Sequence, residues 1–362
     1  METTLSPSDD QLEKARVLIH RFGWNSMSYQ ILNPGIELWF SQRYDAVIGF
    51  VRSAGYFVVA GAPICSDNDL AFVTKEFSET ARAEHAVVCY FGAQDRLRLS
   101  LTHTASAEIL LGAQPVWSPQ SWLAHVTEKS SLRAQLLRAQ NKNIIVEEWN
   151  IERASTDARL LRILDEWIES RNLPSMHFLV EPQTLQRLYD RKIFTALRNG
   201  IPVGFVIISP IPLRQGWLVE QIIRGHNAVN GTAELLLFHA MNFLQQEQAQ
   251  IVTLGLSPLS VKSNIAQKKL PWWIHSVLTI VRKHGKRFYN FDGLDSFKAK
   301  FFPDTWEPVY AIVEQPKLTP RFFYATAKAF SKTSLSLFLL KGSIKAVDHE
   351  IHLGAKKIFK RN

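Results

Sequence analysis

Only two cysteines, Cys65 and Cys89, occur in the 362 residues of this chain. That excludes a disulfide framework and fits a reducing compartment. Neither cysteine has the spacing of a metal site. Eleven histidines are scattered without an H-x-x-x-H or H-E-x-x-H pattern, and neither G-x-S-x-G nor a P-loop occurs. The sequence therefore predicts no resident metal and no cofactor. Long apolar runs are missing too, since no uninterrupted stretch approaches the ~18 residues that span a bilayer. The opening METTLSPSDDQLEKAR is polar and acidic, without the basic start and apolar run of a signal peptide. The expectation is a cytoplasmic protein, free or peripheral at the inner face of the plasma membrane.

A 46% hydrophobic and 21% charged composition is that of a folded globular chain, long enough for about two domains. The formal charge of +9 is unevenly placed. Residues 316–362 carry ten Lys or Arg against Asp348 and Glu350, a net +8, so the preceding residues are nearly neutral. Such a basic tail points to a polyanion, either a membrane surface or nucleic acid. Wound as a helix from Arg321 at about 100° per residue, Lys328 and Lys332 return to within about 20° of it. Phe323, Phe330 and Leu337 fall on the other side. This amphipathic stretch would lie in a membrane interface or bury its apolar side on the body.

The two halves repeat one order. The first reads as a helix near Asp9 to Arg21, strand-like runs at 36–41, 46–51 and 56–60, a helix over 69–84, and a strand at 86–91. The second reads as a strand at 193–198, a turn at Asn199-Gly200, strands at 202–209 and 217–223, a helix from Thr232 to Gln246, and a strand at 251–256. Strand-strand-strand-helix-strand, twice, reads as an α/β protein of two tandem GNAT-like acyltransferase domains with a basic helical C-terminal tail, or as two unrelated α/β domains, since this order is common. The limits are 1–127 for the first domain, 128–148 for a connecting helix, 149–315 for the second domain and 316–362 for the tail. The connecting segment KSSLRAQLLRAQNKN places one cationic face, with Arg133 and Arg138, opposite a leucine stripe. It reads as a solvated connector or as a contact for tRNA or lipid phosphate.

Three blocks of the second half could carry chemistry. The first is a strand containing Glu220 and Gln221 and ending at Arg224, followed by a helix that opens at Asn230-Gly231-Thr232. A helix N-terminus exposes unpaired N–H groups that bind anions or a developing oxyanion. Enzymes of the GNAT type hold the coenzyme A pyrophosphate there, on a glycine-rich loop of which only Gly225 and Gly231 are present. Adjacent on a regular strand, Glu220 and Gln221 point to opposite faces, so only one can face a pocket. Glu220 reads as a surface ion pair or as the partner of a substrate ammonium. The second block, TLGLSPLS, turns at Ser257-Pro258, where open α/β sheets place ligands. The third is FDGLDSFKAKFFPDTWEPVY, in which Lys298 and Lys300 diverge on a helix or share a face on an extended segment. Between the last two blocks, Trp272 and Trp273 are flanked by lysines, which suits either a membrane interface or a core.

Certain residues carry a resemblance: Gly112 to Gln114, Leu132-Arg133, GFVIISP, Arg224 with Asn230-Gly231, LGLSPLS, and the FK-x-KF-x-P-x-x-W-x-P-x-Y block ending at Tyr310. Over about residues 25–312 the chain resembles the phosphatidylglycerol lysyltransferase C-terminal-domain family, the catalytic part of bacterial aminoacyl-phosphatidylglycerol synthases. The resemblance implies transfer of an aminoacyl group from aminoacyl-tRNA to a lipid hydroxyl such as that of phosphatidylglycerol, without coenzyme A. The partners it implies are aminoacyl-tRNA and an anionic phospholipid or membrane surface. The family's D-x-x-R motif falls on Gln221 and Arg224, with glutamine in the place of the acid, which leaves the amino acid open. The expected catalytic residues are Glu220, as base or ammonium partner, and Arg224. The expected substrate-binding residues are Gln221, Asn230, Gly231, Thr232, Lys298, Lys300 and Arg133. The alternatives are a coenzyme A-dependent acyltransferase of the GNAT type and a non-catalytic membrane-binding module.

Overall fold

Ser8 opens the first helix, α1 (Asp9–Phe22), by accepting from the Gln11 backbone N–H while the Gln11 side chain accepts from Ser8 N. This reciprocal cap satisfies two otherwise orphaned donors. Leu12, Ala15, Leu18 and Ile19 then recur at helical spacing and are buried. The computed structural model describes residues 7–101, 105–170, 177–260, 262–263 and 291–331. The Trp272-Trp273 pair and the tail beyond Ser331 lie outside these residues.

The two sequence repeats become two similar sets of strands. In the first, β1 (Glu37–Phe40), β2 (Val47–Ser53) and β3 (Tyr56–Ala60) are antiparallel neighbours. Helix α2 (Leu70–Ala83) then returns the chain to β4 (Val87–Ala93), parallel to β3. In the second, β6 (Ile144–Trp149), β7 (Lys192–Arg198), β8 (Ile201–Ile211) and β9 (Gly216–Arg224) are antiparallel. Helix α8 (Thr232–Gln246) leads to β10 (Ile251–Thr253), parallel to β9. Asn199 and Gly200 take φ values of 52° and 78° at the β7–β8 turn, as a two-residue hairpin requires. The tandem GNAT-like α/β class expected from the repeated order is the one observed.

All of these strands belong to one sheet, ordered β1-β2-β3-β4-β12-β5-β10-β9-β8-β7-β6. The two middle strands are exchanged. Strand β12 (Thr305–Val313), late in the chain, lies between β4 and β5. Strand β5 (Ala107–Trp117), early in the chain, lies between β12 and β10 and also pairs with the short β11 (Ser257–Pro258). Each is therefore flanked only by strands from the opposite end of the sequence. We propose the limits at 127 and 149 as marks of the sequence repeat, since the hydrogen bonding runs across them.

Helices cover both faces. Helix α1 and the turn Ser28–Leu32 pack on one side of the first set, and α2 on the other. Helices α4 (Pro119–Glu128), α5 (Ser130–Gln140) and α8 enclose one core of the second set, and α7 (Ala158–Glu169) the opposite one. Between them in sequence lie α3 (Asp95–Ser100) and α6 (Ile151–Thr156). Helix α9 (Phe291–Ala299) precedes β12, and α10 (Pro320–Ala329) follows it. Of the two readings of the tail, α10 takes the packed one, because Phe322 and Ala325 are buried against β2 and β3. Among the described residues no helix is long and apolar enough to cross a membrane.

Candidate active site

Strand β9 carries one residue too many for its partner. Ile207 pairs with Gln221 and Ile208 with Val219, leaving Glu220 as a bulge. A bulge puts consecutive side chains on one side of a strand and recurs near functional sites. Here it corrects the expectation from a regular strand that Glu220 and Gln221 face opposite ways. Both reach the same segment, residues 181–191. Glu220 Oε1 accepts from Arg191 Nε at 2.9 Å. Gln221 Nε2 donates to the Glu181 carbonyl at 2.9 Å, and its Oε1 accepts from the Thr184 hydroxyl at 2.9 Å.

The Glu220–Arg191 pair is enclosed, with side chains 4% and 1% exposed. A buried charge needs its partner and further hydrogen bonds. Arg191 Nη1 supplies one to the Arg187 carbonyl, and its guanidinium lies 5.7 Å from the Tyr29 ring centroid. Glu220 Oε2 has no hydrogen-bond partner among the described residues, so half of this carboxylate is uncommitted. Beside it, Asp190 accepts from Arg16 and from Tyr29 and meets His20. Burial raises the Asp190 pKa, but these hydrogen bonds outweigh it and hold the group at about 2. This cluster ties α1 to the entry of β7.

The start of α8 is closed by α5. Gly231 has φ 96°, and a Cβ there would lie 2.1 Å from the Gln135 carbonyl oxygen and 3.3 Å from Ala139 Cβ. The Asn-Gly step thus admits a neighbouring helix backbone. Thr232 is fully buried, and its hydroxyl donates to the Val229 carbonyl. Glu234, in the first turn of α8, accepts from Lys300 Nζ at 2.5 Å, and the same ammonium lies 4.1 Å from the Phe297 ring centroid. A carboxylate near a helix N-terminus already answers the partial positive charge there. Asn230 and Arg224 remain exposed, and Arg224 has no partner among the described residues. Arg133 is exposed on α5.

Lys298 ends α9 and points elsewhere. Its side chain is buried, and Nζ donates at 2.8 Å to the carbonyls of Gly255 and Leu256. Burial lowers its pKa to about 7, opposed by nearby Asp295. A neutral amine has two N–H groups, and both acceptors are in place. The structure thus follows the helical alternative for the lysine pair: Lys298 goes to the β10–β11 turn and Lys300 to α8.

That turn is where three of the resembling segments meet. Ser257 and Pro258 pair with Ala113 and Gly112, while Glu307 and Pro308 pair with Gln114 and Ala113. A Cβ on Gly112 would lie 2.1 Å from the Ser257 carbonyl oxygen. Glu307 Oε2 accepts from Gln94, Gln114 and Arg214, each at 2.9 Å. Burial raises the Glu307 pKa, but hydrogen bonding from Arg214 outweighs it, so the group stays ionised below the usual carboxylate range. Among the predicted residues, the structure brings Glu220 and Gln221 together. It gathers Gly231, Thr232 and Lys300 at the first turn of α8, on which α5, the helix bearing Arg133, packs. Lys298 stands apart. Arg191, Thr184, Arg214 and Glu307 escaped the sequence reading, and only Glu307 lay inside a segment already singled out.

The family model described as "Phosphatidylglycerol lysyltransferase, C-terminal" matches residues 16–313. The chain belongs to this family. A phosphatidylglycerol lysyltransferase from Staphylococcus epidermidis is 21% identical over 304 residues, covering 82% of this chain and 35% of that protein. The chain spans about a third of the length of the curated relatives it matches. A C-terminal domain from Agrobacterium fabrum shares the fold at a TM-score of 0.75 and 18% identity, over 89% of this chain and 98% of that one. L-PGS from Bacillus licheniformis does so at 0.74 and 18%, over 91% and 98%. Family membership and fold agree with the resemblance read from the motifs. Among the described residues no group of three His, Cys, Asp or Glu is placed to hold a metal.

Proposed function

We propose that this lysyltransferase-family chain moves an aminoacyl group from aminoacyl-tRNA to the hydroxyl of a lipid such as phosphatidylglycerol. Ester-to-ester transfer calls for positioning and charge stabilisation more than for a strong nucleophile. Exposed Arg224, at the end of β9, would hold phosphate or steady the developing oxyanion, and exposed Asn230 would assist it. The free oxygen of Glu220 would take the donor's ammonium group or the acceptor's hydroxyl proton. Gln221, Gly231, Thr232 and Lys300 fix the walls through the contacts already described, while Lys298 would act only by holding the β10–β11 turn. Arg133 extends the cationic surface on α5.

The observation that carries this reading against a coenzyme A enzyme is the closure at Gly231. The Gln135 carbonyl of α5 sits where a Cβ on Gly231 would, so another helix backbone packs against the start of α8, and the Glu234 carboxylate, paired with Lys300, already answers the positive charge of its first turn. The test is transfer of radiolabelled amino acid from charged tRNA into an organic-phase lipid by the purified chain. Label that enters lipid and is lost after RNase treatment supports the proposal. RNase-insensitive labelling from an acyl-coenzyme A would overturn it. Lipid mass spectrometry of cells with and without the protein then names the product.

A further inference from the structure

An acceptor lipid with two acyl chains stays in its bilayer, so an enzyme acting on it must present a face to the membrane. Helix α10 does not supply an apolar face for that purpose, because Phe322 and Ala325 are buried on the body and Phe323 and Phe330 pack, partly buried, against the same core. A different surface has the required composition. The β7–β8 hairpin pairs Arg198 with Ile201, and Arg198 also pairs with Ile144, the first residue after the turn holding Lys142. The end of β9 pairs Arg224 with Gly204 of the same hairpin. Through Gly231 and Ala139, the C-terminal part of α5, with Leu137 and Arg138, packs on the start of α8 beside them. The backbone thus gathers six side chains at one end of the second strand set.

Two of the six are bare aliphatics: Ile201 is 61% exposed and Leu137 50%. The other four are cations. Arg138, Lys142 and Arg224 are exposed and Arg198 is half-buried. None of the four has a carboxylate partner among the described residues, although ion pairs are common elsewhere in the chain. Nucleic acid would need the charges but not the aliphatics. Exposed apolar groups set among unpaired Lys and Arg suit the interface of an anionic leaflet, where the apolar groups enter the headgroup layer and the cations meet lipid phosphate.

We propose that this rim, formed by the end of α5, the β7–β8 hairpin tip and the end of β9, docks on an anionic phospholipid bilayer. The inference rests on the lipid-acceptor reading and adds the direction of approach: the lipid headgroup enters beside Arg224 without leaving the membrane. Each cation at such a surface is worth about a fivefold change in partition.

The test uses the full chain. Cys65 and Cys89 are buried, so an environment-sensitive dye placed on an Ile201→Cys variant reports from the rim alone. The dye is expected to shift to the blue with phosphatidylglycerol–phosphatidylcholine vesicles and not with phosphatidylcholine vesicles. A Lys142→Gln/Arg198→Gln variant is expected to lose about 25-fold in vesicle partition, while transferring aminoacyl groups to phosphatidylglycerol in detergent micelles at the parent rate. No shift on anionic vesicles would overturn the proposal. So would a shift produced by uncharged tRNA alone, which would make the rim an RNA-binding surface. A vesicle-dependent shift without transfer to micelles would keep the docking and remove the aminoacyl reading instead.

Discussion

Replacing Glu220 by glutamine separates a structural role from a catalytic one. The change removes one charge of a pair whose side chains are 4% and 1% exposed and whose atoms are 2.9 Å apart. At an effective dielectric constant of about 20, two unit charges at that distance attract by roughly 6 kcal/mol. Much of this is offset by the cost of bringing both out of water. Glutamine leaves the Arg191 guanidinium charged in the interior, and breaking a buried pair in this way costs about 3–5 kcal/mol. Arg191→Met should cost a similar amount. Replacing both, as Glu220→Gln/Arg191→Met, should recover most of the loss, because no lone charge is left. Urea unfolding of the four proteins measures the cycle. A loss below about 1 kcal/mol for Glu220→Gln would refute the reasoning, since it would mean that water reaches the pair. Transfer activity of the refolded double variant then gives the catalytic answer. Retained activity would remove Glu220 from the chemistry, and lost activity in a stable protein would keep it there.

Three further predictions follow from the same geometry. Arg224→Ala, at an exposed position, should leave the unfolding curve within about 0.5 kcal/mol of the parent while abolishing lipid transfer; unchanged transfer would take Arg224 out of the mechanism. Gly231→Ala sets a Cβ against the Gln135 carbonyl at a φ of 96°. It should cost about 2 kcal/mol or more, seen as a lowered urea midpoint. Lys298 titrates at about 7 in the fold but near 10.4 in an unfolded chain. Between these values the unfolded chain holds more protons, so this residue's contribution to stability rises with pH and falls on acidification towards 7. The stability difference between the parent and Lys298→Met should therefore grow from pH 7 to pH 10, and a flat difference would mean that the ammonium is not desolvated.

The elements legible in the sequence were those that local patterning specifies. Asn199-Gly200 announced its hairpin because a two-residue turn needs positive φ twice. The spacing of Leu12, Ala15 and Ile19 announced α1 because one helical face repeats at that interval. The bulge at Glu220 was not legible, because a bulge is a relation between two strands and β9 alone reads as regular. The fate of Lys298 was hidden for a similar reason: its acceptors, Gly255 and Leu256, lie more than forty residues earlier. Arg191 sits at the mouth of an apolar strand, where surface arginines are common, and nothing local marks it as 1% exposed. The motif segments did carry family membership, and three of them, far apart in sequence, meet at β5.

The exchange of β5 and β12 has a consequence for the nascent chain. Strand β4, with Cys89 and Tyr90 wholly buried in the finished protein, meets its partner β12 only after about two hundred more residues have been made. At ~5–20 residues per second, the edge of β4 stays open on the ribosome for roughly ten to forty seconds. An unpaired, apolar strand edge is a template for wrong pairing. Because their partners arrive so late, β4 on one edge and β5 on both stand in need of a chaperone during synthesis, and a chain truncated before Thr305 would leave its sheet unclosed.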